Sequence, residues 1–238
     1  MANAILSFST LAAILAASST ALALDPPSST SKQADGAASN TSETPAWEKA
    51  PTERRGGFSV GVLFGGAVGN IAGYPADLEK RGKAAFRTDM GAALGGSGTL
   101  WLGGALTDWL VFGVGGGGGS FTGNGVTLQG FTFIFHTEAF PLYWRGGVWR
   151  ELGIAFDTGA GSFTGELSEK PQGAKVAPVI ESGAASRVGF SLFYDGLRLW
   201  KVSAGPYVGF DYTWSATLSQ PLVTLGIRTA LYTKAKTK

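Results

Sequence analysis

The chain has 238 residues, no Cys, 15% charged residues and a formal net charge of +2. The lack of Cys excludes a disulfide framework, thiolate metal sites, a Cys nucleophile and a lipid anchor on an N-terminal Cys. The near-neutral balance gives no argument for a nucleic-acid partner. The charged fraction lies well below the roughly 25% of soluble domains.

Residues 4–23 are apolar with Ser and Thr interspersed, and Ala21-Leu22-Ala23 is a small-residue cleavage site. This reads as a secretory signal peptide, cleaved near Ala23, although Met1-Ala2-Asn3 supplies no Lys or Arg. A single anchoring helix is the alternative. Residues 24–55 are rich in Ser, Thr, Ala and Pro and show no periodicity. Such a stretch cannot bury enough apolar surface to offset its ordering entropy, so a disordered linker is expected.

From residue 56 to 233 the chain alternates. Phe58, Val60, Val62 and Phe64 alternate with Ser59, Gly61, Leu63 and Gly65. The same period of two recurs at Phe131–Phe133–Phe135, Leu152–Ile154–Phe156, Val188–Phe190–Leu192, Val208–Phe210–Tyr212 and Val223–Leu225–Ile227. Period two predicts strands with two unlike faces, about eight in all. The pattern is diluted by Gly over residues 90–106 and 109–119. Residues 115–119 are all Gly, but no helical period follows, so a dinucleotide loop is not supported. Asn124-Gly125 is a hairpin turn signal.

The predicted connections fall into two kinds. Those at 106–109, 141–148 and 195–200 are short or aromatic-rich, whereas 68–87 and 164–178 are longer and polar. The first long one holds Asp77, Glu79, Lys80, Arg81, Lys83 and Arg87. The second holds Glu166, Glu169, Lys170 and Lys175. Short turns on one side and charged loops on the other is the layout of a bacterial membrane barrel.

The strand faces decide between water and lipid. One carries Phe, Val, Leu and Ile. The other carries Gly, Ala, Ser and Thr with isolated charges at Asp157, Arg187, Asp211 and Arg228. The small-residue face would make a poor soluble surface. In a membrane the bulky face meets lipid and the small or charged face fills a narrow lumen. Trp109, Trp144, Trp149 and Trp200 all fall at or beside the three short turns, as an interfacial aromatic girdle would require. A soluble lipocalin-like binding barrel remains the alternative.

In this pattern residues 56–233 resemble the small eight-stranded outer-membrane barrels, the OmpA- and OmpX-like group. The resemblance implies a closed, up-and-down, all-β, porin-like transmembrane barrel in the outer membrane of a Gram-negative cell. It also implies that the stretch Thr224-Leu225-Gly226-Ile227-Arg228-Thr229-Ala230-Leu231 is the signal read by the barrel-assembly machinery. Thr224, Gly226 and Leu231 fit that signal. Thr229 stands where an apolar residue is usual, and the chain runs on through a basic tail, residues 234–238, rather than ending on an aromatic residue.

Three sets of residues could carry chemistry. The lumen charges Asp157, Arg187, Asp211 and Arg228 are expected to pair as a plug that fixes register, with a gated pore as the sharper reading. His136, the sole His, shares a face with Glu138, and a His with a carboxylate could serve hydrolysis. Lipid A deacylases of similar size carry His-x-Ser, whereas this chain reads His136-Thr137-Glu138. If 141–148 is a periplasmic turn, His136 also lies far from the outer leaflet. No Cys or His cluster points to a metal, and no motif points to a cofactor. The expected function is therefore non-enzymatic: a monomeric outer-membrane barrel, in contact with membrane lipid, with a structural or surface-interaction role through its longer loops. A narrow pore or small-solute transporter, a lipid-modifying enzyme and a soluble binding barrel are the alternatives.

Overall fold

The computed structural model describes residues 55–169 and 177–234. The expected signal peptide, the linker as far as residue 54, Lys170, Lys175 and residues 235–238 lie outside the described residues.

The alternating runs form β1 (Gly57–Gly73), β2 (Thr88–Thr107), β3 (Leu110–Gly123), β4 (Val126–Ala139), β5 (Leu152–Leu167), β6 (Ile180–Tyr194), β7 (Leu197–Leu199), β8 (Val202–Trp214) and β9 (Leu218–Tyr232). Apart from β6 and β7, successive strands pair antiparallel. The short β7 continues β6 past a break at Asp195-Gly196, and both pair with β8. The first and last strands pair with each other, through Val62 with Thr229 and Phe64 with Ile227. This closes a barrel of eight staves, one of them broken. Closure leaves no unpaired edge, as a sheet surrounded by hydrocarbon requires.

The Gly-diluted stretches are strands too. Residues 115–119 lie in mid-β3, paired on both sides. They form no loop, because their backbone groups belong to two ladders.

The connections at 108–109, 140–151 and 200–201 lie at the barrel end that holds both described termini. Those at 74–87, 124–125 and 215–217 lie at the far end, as do residues 168–169 and 177–179. The contrast between ends is milder than expected. Two far-end connections are tight, and 140–151 carries two short 3-10 helices. The first long loop is also shorter than predicted, since β1 runs on to Gly73. Asn124 and Gly125 both adopt positive φ, 43° and 72°, the type I′ turn that matches strand twist.

The faces sort as their alternation dictates. Phe58, Phe64, Phe131, Phe133, Phe156, Phe190 and Phe210 are each about half exposed on the outside. Their strand neighbours Ser59, Leu63, Thr132, Ala155, Asp157, Ser191 and Gly209 are buried inside.

The interior is not lined only by small and charged residues, as the sequence suggested. An apolar cluster in the far half includes Ile71, Met90, Phe121, Leu128, Phe163, Ile180 and Leu222. A second, nearer the termini, includes Leu63, Trp101, Val111, Phe140, Phe193, Tyr207 and Tyr232. Glycines make room for these rings. A Cβ on Gly61 would strike the Trp101 indole, and one on Gly130 would strike the Phe163 ring. Small residues are thus the complement of large ones across a lumen only as wide as its side chains.

Candidate functional site

The charged half of the lumen is built around Arg228 on β9. Its guanidinium meets both carboxylate oxygens of Glu138 on β4, at 2.6 and 2.7 Å through Nη2. Nε adds a third bond to Glu138 at 2.9 Å. Nη1 donates to Asp195, and Nη2 also donates to the Tyr232 hydroxyl at 3.0 Å. Asp195 is held in turn by the Ser203 hydroxyl at 3.0 Å. The Arg228 guanidinium lies 4.2 Å from the centre of the Phe193 ring.

Glu138 links Arg228 to His136. The Nε2 of His136 meets Glu138 at 3.0 Å, and Nδ1 meets Asp157 on β5. Each ring nitrogen thus faces a carboxylate oxygen, so the whole polar edge of the imidazole is engaged. Trp101 stacks on the imidazole at 4.6 Å between centroids. Arg228, Glu138 and His136 have no exposed surface. Nearer the middle of the barrel, Arg187 on β6 meets Asp211 on β8 at 2.7 and 3.0 Å, and donates to Thr132 at 3.0 Å.

All four lumen charges named from the sequence therefore point inward, on the pattern of their strands. They do not form one ring. Arg187 takes Asp211, Arg228 takes Glu138 and Asp195, and Asp157 takes His136. The pair singled out for hydrolysis, His136 and Glu138, is part of this network. Both ring nitrogens are engaged by carboxylates, and the nearby Ser203 hydroxyl bonds Asp195.

Two members escaped the sequence reading. By sequence Asp195 falls in a turn, whereas the break between β6 and β7 brings its carboxylate to Arg228. By sequence Arg55 falls in the linker. It is buried beneath the barrel end, with its backbone N–H on Asp108, Nη2 on Glu151 at 2.7 Å and its guanidinium 3.3 Å from the Phe140 ring centre. The shared face of His136 and Glu138 was legible; the partner of Glu138, ninety residues away, was not.

At the same end the Tyr143 hydroxyl donates to Asp108 at 2.6 Å. Partial burial and that carboxylate hold its phenol above the ordinary tyrosine range. Trp144, Trp149 and Trp200 are exposed there, and Trp109 is half-buried with its ring 5.6 Å from that of Trp144. The four indoles named from the sequence thus share the end that holds the termini. Trp214 lies at the far end, stacked on Tyr212.

The loop residues Asp77, Glu79, Lys80, Arg81 and Lys83 lie in the 74–87 connection. Asp77 accepts from the Glu79 N–H at 2.9 Å and pairs with Lys80 at 3.0 Å. These contacts hold its carboxyl below the usual aspartate range. Arg81 and Lys83 are exposed.

Among the described residues no helix is long and apolar enough to cross a membrane. An apolar exterior around a charged, paired interior assigns crossing to the strands. The chain is a small, closed β-barrel whose strands present an apolar exterior.

No protein-family model matches the chain, and no curated protein matches it. Several solved structures are similar to the chain at low identity. Neisserial surface protein A is 10% identical, with a TM-score of 0.44 over 73% of this chain and 96% of that one. The outer membrane protein OprG from Pseudomonas aeruginosa is 10% identical, with a TM-score of 0.37 over 76% and 99%. The outer membrane protein AlkL is 12% identical, with a TM-score of 0.36 over 80% and 97%.

Proposed function

We propose that this chain is a closed, non-conducting outer-membrane barrel that acts through its far-end loops rather than through its lumen. The observation that carries the reading is the filled cross-section. Trp101, Arg228, Tyr232, Phe140, Ile71, Met90 and Leu128 are all fully buried inside an eight-stave wall. A barrel of that size has no space for both these side chains and an aqueous channel. The buried, doubly engaged His136 supports a structural part for the lumen charges over catalysis. The 74–87 loop supplies the exposed charge with which a surface partner would engage. In this reading the protein works as a monomer in contact with membrane lipid, and β9 is the strand offered to the assembly machinery.

The test is conductance of the purified, folded protein in planar lipid bilayers. No single-channel steps are expected above the protein-free baseline. Reproducible unitary steps would overturn the closed-barrel reading and favour a narrow pore.

A further inference from the structure

Between the Arg187–Asp211 pair and the far apolar cluster lies a cavity of about 20 Å³. Its polar lining comprises Ser97, Thr132, Arg187, Asp211, Thr213 and Gln220, drawn from five strands. Phe121, Phe163 and Leu222 border it on the apolar side. Gln220 is 1% exposed, yet neither its amide oxygen nor its amide nitrogen meets a partner among the described residues. Such a group strongly disfavours a dry site, because each unpaired buried donor or acceptor keeps its full desolvation penalty.

The neighbouring groups define what can fill the space. Arg187 and Asp211 neutralise each other, so the cavity offers no net charge to an ion. Gln220 presents a donor and an acceptor side by side, which suits a guest that both accepts and donates. A volume near 20 Å³ admits one or two molecules of water size, since one needs roughly 10–15 Å³. The Gly residues of mid-β3 help keep the space open: a Cβ on Gly117 would crowd Thr99 and the Arg187 guanidinium.

We propose that this mid-lumen cavity is a hydration site, in which ordered water bridges the Gln220 amide to the Arg187–Asp211 pair. The guest is water itself, held as part of the fold. The site gives the lumen a thin wet layer between its ionic half and its apolar half. It is independent of the loop-based function proposed above.

Two measurements on the full-length barrel in detergent micelles test it. The first is magnetisation transfer from water to the Gln220 side-chain amide protons by NMR. Direct transfer is expected, and its absence would overturn the proposal. The second compares wild type with Gln220→Met in denaturant unfolding. A bound water already satisfies the amide, so the unfolding equilibrium should shift by less than about threefold. If the cavity is dry, removing two unpaired polar atoms would favour the folded state by tenfold or more, given roughly 1–3 kcal/mol for each and 1.4 kcal/mol per tenfold. That gain would also overturn the proposal. Should the variant fail to fold, the wild-type NMR measurement still decides.

Discussion

In the half of the lumen nearest the termini, Arg228 is clasped by Glu138 and Asp195 and backed by Phe193. In the far half, the same width of barrel is filled by Ile71, Met90, Leu128 and Phe163. The two halves fail differently when altered. An apolar layer that loses a side chain is left with a gap. An ionic layer that loses a charge is left with an uncompensated opposite charge, which is the costlier defect. The ionic half is also the more specific of the two. Its partners must come from β4, β9 and the β6–β7 break, so it pins the registers of distant strands.

The sharpest way to break the comparison is Arg228→Ala. It removes the cation shared by Glu138 and Asp195, leaving them only His136 and Ser203, and should cost on the order of 3–5 kcal/mol of folding stability. The midpoint of denaturant unfolding in micelles measures this; a loss under about 1 kcal/mol would mean that the ionic half is hydrated. In the apolar half, Leu128→Ala should cost about 2–5 kcal/mol by the same measurement, according to how far the neighbours collapse into the gap. A negligible loss there would show loose packing. At the boundary between the halves, Arg187→Ala should cost less, about 1–3 kcal/mol, because the freed Asp211 retains some exposure and can find water. If Arg187→Ala proves as damaging as Arg228→Ala, the two ion-pair groups act as one network.

The smallest effect lies outside the barrel. The Asp77 carboxyl is held low by Lys80 and the Glu79 N–H, so its ionised form is the one that stabilises the 74–87 loop. That contribution is present above the ordinary aspartate pKa and is lost as pH falls through the lower folded value. Loop amide NMR shifts, Glu79 foremost, should therefore titrate below pH 4 while the barrel amides stay fixed. A midpoint at or above the ordinary value would dissolve the Asp77–Lys80 contact.

Much of this was legible in the residues. Alternation is a local property, and a single run such as Phe131 to Phe135 states which side chains share a face. The inward direction of Asp157, Arg187, Asp211 and Arg228 followed from that alone. The end shared by four Trp residues followed from their proximity to three connections. What failed to follow was depth and partnership. A period of two says that His136 and Glu138 face the lumen, but not that Arg228 meets them from the last strand.

By itself, then, the sequence determined the class of fold, the two faces and the charges destined for the interior, because strand pleat and burial are set by neighbours along the chain. Only the tertiary structure decided which charges pair, that the lumen holds two apolar clusters, and that Arg55 belongs beneath the barrel. Those depend on strand register and on the break at Asp195-Gly196, and so on contacts between residues far apart in the chain. Closure fixes these contacts only when β1 meets β9.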